Sequence, residues 1–273
     1  MEQAQPFVRE AGNGPSVVCL HANASTSSQW RSLMDRLSPT HRVMAPDLYG
    51  SGQSPDWPSR SVITLDDESD LIEPILQSAG ESFALVGHSY GGAVALIAAL
   101  RRPEQVSSLV LYEPTLFSLV DAHQPPPNRA DGIRECSQRS MELLALGEDE
   151  AAAGNFIDYW MGAGAWAWIP EHRRGPITES VRNIERWGHA LSEERTPLEA
   201  FSGLTMPVLY LVGQHTKESS RAVADLLVRV IPNVEVVEVP GIGHMGPVTH
   251  PEVVNQLIAE FLEHGTTAGE RAA

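Results

Sequence analysis

Cysteine is scarce in this chain: Cys19 and Cys136 are the only two in 273 residues. Two thiols cannot make a disulfide framework. Cys19 lies in an apolar run and Cys136 in a polar, helix-like segment, so neither has metal-ligand spacing, and both are expected as free thiols in a reducing cytoplasm. Basic residues are also few, with 19 Lys and Arg against 35 Asp and Glu and a formal charge of −16. A balance that negative opposes phosphate backbones and anionic bilayers, so neither nucleic acid nor a membrane is an expected partner. No window approaches the roughly 18 uncharged apolar residues of a membrane-crossing helix. The opening MEQAQPFVRE has no basic stretch followed by an apolar one, which leaves export unsupported. The chain has no internal repeat, and its low-complexity sequence is confined to the proline triplet of QPPPNR.

Hydrophobic residues make up 42% of the chain, enough for one large core. Short apolar runs at Val17–Leu20, Arg42–Ala45, Phe83–Val86, Leu109–Tyr112, Val208–Val212 and Val234–Val239 alternate with helical patterns. Those patterns fall at Ser28–Leu37, Leu65–Ser78, Gly91–Arg101, Ser219–Val230 and Pro251–Glu263. Such alternation implies right-handed crossovers and a mostly parallel sheet with helices on both faces, an α/β fold. Phe7–Glu10, followed by AGNGP, reads as an edge strand joined to Val17 by a hairpin. The tail HGTTAGERAA is small and polar, and is expected to fray. The alternation breaks after Glu113-Pro114 and resumes near Met206-Pro207. The intervening stretch holds four of the six tryptophans, Trp160, Trp166, Trp168 and Trp187. This divides the chain into a core at 1–116 and 201–273 and a helical cap inserted at 117–200, placed over the carboxyl ends of the strands, where ligands bind in open α/β sheets.

The stretch FALVGHSYGGAVALIAALRR places Ser89 between a strand-like run and an alanine-rich helix, in the pattern G-x-S-x-G. Gly87 and Gly91 suit a turn too tight for neighbouring side chains, and the helix beyond it brings a positive dipole end near Ser89. A serine hydroxyl is a weak nucleophile and needs a base within hydrogen-bond reach. Of the ten histidines, His244 is the best placed, in the glycine-rich loop GIGHMG after the last strand and before the last helix.

GHSYGG, GIGHMG, LHANAS at 20–25 and APDLYGSGQS at 45–54 together resemble the α/β-hydrolase superfamily, in the right order over about residues 7–116 and 204–264. The resemblance implies an α/β-hydrolase fold and an oxyanion hole built from the backbone N–H groups of Asn23 and Tyr90, with Ala22 standing where the family's usual glycine would be. It also implies a third, acidic member that fixes the histidine. Many relatives carry that acid after the strand following the cap, where this chain has Thr216. Glu113, at the end of the strand next to that of Ser89, is the expected replacement, since some relatives carry their acid there; Glu218 is the alternative. The early loop HANASTSSQW is also similar to that of haloalkane dehalogenases. Those enzymes and epoxide hydrolases need an aspartate nucleophile, and Ser89 excludes both activities.

The expected protein is therefore a cytoplasmic serine hydrolase of carboxylesterase type. Ser89, His244 and Glu113 are its triad, and it needs neither metal nor organic cofactor. Its expected partner is a small ester-like molecule, with Ala22, Trp160 and Trp166 as candidate substrate contacts. A C–C bond hydrolase, lactonase, thioesterase or acyltransferase would carry the same core residues. A small-molecule receptor, with the site kept but without turnover, is the non-enzymatic alternative. The sequence carries no sign of an oligomeric state.

Overall fold

The computed structural model describes residues 4–59 and 61–270. Seven short runs form one sheet: β1 (Val8–Ala11), β2 (Ser16–Leu20), β3 (Arg42–Pro46), β4 (Phe83–His88), β5 (Val106–Tyr112), β6 (Val208–Gly213) and β7 (Val234–Val239). Their order in space is β1-β3-β2-β4-β5-β6-β7, parallel throughout except where β1 meets β3. The helices are α1 (Arg31–Leu37), α2 (Leu65–Ser78), α3 (Tyr90–Arg101), α4 (Ser118–His123), α5 (Asp131–Ala145), α6 (Asp149–Met161), α7 (Ala165–Trp168), α8 (Glu171–Val181), α9 (Ile184–Ser192), α10 (Glu218–Val230), α11 (Gly246–Thr249) and α12 (Pro251–Glu270).

The central strands β2, β4 and β6 are buried along their whole length. Because side chains alternate across a strand, the sheet separates two cores. Val17, Cys19, Val86, Val110 and Leu211 pack toward α1 and α12, alongside Leu33 and Ile258. Val18, Leu20, Leu85, Leu111 and Val212 pack toward α2, α3 and α10, alongside Ile72, Val94 and Leu227. Helices on both faces are what a parallel sheet needs to bury both sides.

Two expectations change at the ends of the chain. The edge strand does not form a hairpin with β2; it runs antiparallel to β3, with Val8 opposite Pro46 and Ala11 opposite Val43. Both edges of β2 are already taken by parallel partners, β3 and β4. Gly12, at φ +77°, lets the connection pass against the backbone carbonyls of Ser38 and His41, where a Cβ would collide. At the other end, α12 continues to Glu270 through most of the tail expected to fray. The last three residues lie outside the described ones.

Between β5 and β6 the chain forms six helices, α4 to α9, and a short 3-10 turn at Leu198–Gly203, with no strand among them. α6 packs on α5, α7 and α8, while α9 reaches α3 of the core. Among the described residues, no helix is long and apolar enough to cross a membrane.

Candidate active site

Ser89 sits in the single-residue step from β4 to α3, with φ 56° and ψ −119°. For a residue with a Cβ this conformation costs about 1–3 kcal/mol and persists only where its surroundings dictate it. Here they do. A Cβ on Gly91 would lie 2.5 Å from the carbonyl oxygens of Leu20 and His21, and one on Gly87 would lie 2.6 Å from the carbonyl oxygen of Gly91. The helix can therefore start this close to β2 and β4 only with glycine at both positions. The Ser89 amide donates to the carbonyl of Tyr112 at 3.0 Å, and its own carbonyl accepts from Ala93 at 3.0 Å. Among the described residues, non-glycine residues with positive φ are Ala24, Ser89 and Glu113, and all three lie at this end of the sheet.

The loop after β7 carries His244 to Ser89. Its Nε2 is 2.9 Å from Ser89 Oγ, and its Nδ1 is 2.7 Å from Glu113 Oε2. Glu113 follows β5 directly and is fully buried, while His244 is 2% exposed and Ser89 6%. A buried carboxylate needs donors on its lone pairs, and Glu113 has three. The Gly213 amide donates to Oε1 at 2.7 Å, the Thr216 hydroxyl to Oε2 at 2.5 Å, and His244 Nδ1 is the third. Thr216, the residue found where many relatives carry their acid, is thus the hydroxyl that holds the relocated carboxylate. Glu218, the alternative acid, does not enter the site. It is exposed and pairs with Arg129 at 2.9 Å.

Several further neighbours fix His244. The fully buried His88, whose pKa burial pushes well below its ordinary value, is a neutral ring and donates from Nε2 to the His244 carbonyl at 2.8 Å. Tyr112 donates to the Gly243 carbonyl at 2.7 Å. Ser220 Oγ lies 3.5 Å from His244 Nδ1. The Trp160 ring stacks on the imidazole, with centroids 3.9 Å apart and planes inclined by 26°. None of these four was singled out from the sequence as a support for the histidine. His88 lies inside GHSYG and Trp160 among the clustered tryptophans, whereas Tyr112 and Ser220 lie in stretches read only as a strand and a helix.

Tyr90 opens α3, so its amide is among the first N–H groups of the helix, which have no partner within it. Its side chain points away from Ser89 and donates to Glu68 Oε1 at 3.1 Å. Glu68 also accepts from the Tyr49 amide at 3.2 Å. It is 1% exposed, and burial pushes its carboxyl up to about 8. Asn23 and Ala22 both line the cavity beside Ser89, and the positive φ of that loop falls at Ala24 rather than Ala22. Alanine is therefore accommodated at position 22 without backbone strain.

A cavity of about 490 Å³ opens over Ser89 and His244, between the strand ends and helices α5, α6 and α9. That volume lies within the usual range of small-molecule sites. Trp160 lines it, as expected, but Trp166 does not. The Trp166 ring lies against Gly154 and under the Arg174 guanidinium, 5.5 Å from its centroid, on the far side of α6. The aromatic walls are instead Phe117, Phe156, Trp160 and Trp187. Among the described residues, no three His, Cys, Asp or Glu side chains are grouped to hold a metal ion.

The sequence matches the alpha/beta hydrolase family over residues 17–257. It is 28% identical over 262 residues to 2-(acetamidomethylene)succinate hydrolase of Mesorhizobium japonicum, covering 94% of this chain and 91% of that one. It is 24% identical over 263 residues to a pimeloyl-[acyl-carrier protein] methyl ester esterase of Yersinia enterocolitica, covering 92% and 94% respectively. Among solved structures, the enol-lactonase of Burkholderia xenovorans LB400 superposes with a TM-score of 0.77 at 16% identity, covering 94% of this chain and 96% of that one, a likeness of fold.

Proposed function

This chain belongs to the alpha/beta hydrolase family, and on that premise we propose that it is a serine hydrolase that cleaves a carboxylic ester or related acyl bond through an acyl-enzyme on Ser89. The observation that carries this reading is the unbroken hydrogen-bonded line from Glu113 through His244 to Ser89, at 2.7 and 2.9 Å. A carboxylate on Nδ1 keeps the imidazole proton there and leaves the Nε2 lone pair facing the hydroxyl. Ser89 Oγ attacks the acyl carbon while His244 Nε2 takes its proton. The carboxylate of Glu113 stabilises the imidazolium, and the backbone N–H groups of Asn23 and Tyr90 hold the oxyanion. His244 then protonates the leaving alcohol and activates water, which releases the acid and regenerates Ser89.

In the same reading, residues 117–200 act as a cap that closes the site over a small ester-like substrate. Of the two sequence relatives described above, one is named a hydrolase and the other a methyl ester esterase. The test is hydrolysis of p-nitrophenyl esters from acetyl to decanoyl, with Ser89→Ala in parallel and a fluorophosphonate probe on both proteins. The expected result is turnover and labelling of the wild type, with turnover reduced by roughly 10⁴-fold or more in the folded variant and no labelling of it. A wild type that neither turns over esters nor reacts with the probe would refute the proposal.

A further inference from the structure

The charges around the cavity restrict what its acyl pocket accepts. Phe117, Ile157, Trp160, Trp187 and Leu191 give the wall a large apolar area, interrupted by the polar side chains of Ser137, Gln138, His189 and Ser192. Of the described residues lining the cavity, Arg134 is the sole Arg or Lys, and its guanidinium is already committed. Nη1 donates to Asp121 at 2.7 Å, while Nη2 donates to Asn128 at 2.9 Å and pairs with Asp131. Two carboxylates on one guanidinium leave no net positive charge at that point. The other acidic residues on the wall, Glu185 and Glu193, add charge of the wrong sign for an anionic guest, and the whole chain carries a formal −16.

Moving a carboxylate from water into such a space removes its hydration without an unpaired Arg or Lys to replace it, and that penalty is large for an ionised group. The lining atoms left without a partner, Thr115 Oγ1 and His189 Nδ1, can each offer one hydrogen bond but no counter-charge from an Arg or Lys, and one bond falls short of the lost hydration. We propose that this site takes an uncharged, apolar acyl group and rejects acyl chains that carry a carboxylate. The inference rests on the serine-hydrolase reading for which bond is broken, but the preference belongs to the cavity and can be measured without turnover.

Two paired comparisons test it. In the first, kcat/KM is measured for p-nitrophenyl hexanoate and for the p-nitrophenyl monoester of adipic acid, which differ only in the replacement of the terminal methyl by a carboxylate. The second measures binding of 2-octanone and of 7-oxooctanoate, related by the same replacement, to Ser89→Ala by calorimetry. The expected result is a preference of roughly 100-fold or more for the uncharged member of each pair. Equal or better use of the adipate monoester, equal or tighter binding of 7-oxooctanoate, or no binding of either ketone would overturn the inference. Preferential binding of 2-octanone without turnover of either ester would uphold the pocket and count instead against the proposed chemistry.

Discussion

Replacing Glu113 by glutamine separates the electronic role of the acid from its structural one, because the site has room and partners for the amide. The side chain is isosteric, and its carbonyl oxygen can take the place of Oε1, accepting from the Gly213 amide now at 2.7 Å. Its NH2 group then stands where Oε2 was, facing the Thr216 hydroxyl and His244 Nδ1, now 2.5 and 2.7 Å from that oxygen. Both can accept, so no buried polar group is stranded and the fold should survive. The exchange works only if His244 places its proton on Nε2, which points an N–H at Ser89 Oγ, 2.9 Å away, where a lone pair is required. A wrong tautomer with intact geometry lowers kcat by about 10⁴-fold, equivalent to about 5 kcal/mol at 1.36 kcal/mol per decade. Glu113→Ala differs in leaving the Gly213 amide and the Thr216 hydroxyl without their buried acceptor, a stability loss of about 1–3 kcal/mol for each unsatisfied group. The assay is steady-state hydrolysis of a p-nitrophenyl ester, with melting temperatures recorded on both variants. A folded Glu113→Gln protein retaining kcat within about tenfold of wild type would refute the role given to this carboxylate.

Thr216→Val keeps the shape of the side chain but removes one donor to Glu113, so kcat should fall about tenfold, the worth of one hydrogen bond to a charged group, while Thr216→Ser retains activity. Trp160→Leu removes the ring stacked on His244 and should lower kcat by about 10- to 30-fold, since a desolvated cation–π contact to an imidazolium is worth about 2 kcal/mol; Trp160→Phe should recover most of it. Glu68→Gln should change stability with pH. The native carboxyl titrates at about 8 against an ordinary 4.5, so this group's contribution is full below about pH 4.5 and declines as the unfolded chain ionises, until about pH 8. The decline has a ceiling of about 5 kcal/mol. Denaturant titrations of wild type and variant at pH 4.5, 6 and 8 should therefore diverge toward high pH in favour of glutamine, and parallel curves would count against a buried neutral Glu68.

The parts of the fold that could be read in advance are those where one local rule decides the outcome. Strands buried on both faces must hold continuous apolar runs, and β2 to β6 do, at Val17–Leu20, Val43–Ala45, Phe83–Val86, Leu109–Tyr112 and Val208–Val212. Their alternation with amphipathic helices leaves parallel crossovers as the consistent topology. The edge strand was harder, because Val8–Ala11 has no pattern that separates a hairpin with β2 from pairing with β3. That choice depends on which edge of the sheet is already occupied, a fact of assembly rather than of local sequence. The tryptophans failed as a guide for a related reason. A run of aromatic residues in a helical insertion shows that the insertion has a core, but the face of each helix that meets the cavity is set by packing. Trp166, on α7, packs against Gly154 of α6, while Trp160, on α6 before the break at Gly162–Gly164, stacks on the histidine.

The third member of the triad shows why adjacency in a sheet predicts more than a spacing rule. β5 and β6 are parallel neighbours, with Tyr112 opposite Leu211, and strands in this arrangement lie about 4.8 Å apart. The side chain of residue 113, after one strand, and that of residue 216, three residues past the end of the other, therefore meet at one point: Thr216 donates to the Glu113 oxygen that faces Nδ1 of the histidine delivered by the loop after β7. An acid at either position would serve, provided that the other supplies a small group able to donate to it. Threonine at 216 does so, and an aliphatic residue there would leave one lone pair of a fully buried carboxylate without that donor. Thr216 and Glu113 thus act as one unit spread over two strands. The threonine that looked like a missing acid in the sequence is the sign that the acid lies one strand away. What no local pattern signalled is the backbone that brings Glu113 there. A φ of 44° at a glutamate is unusual, and the residue before a proline gives no reason to expect it. As at Ser89, the strain is carried by a chemically committed side chain, held by the surrounding strands in a conformation that its own sequence would not choose.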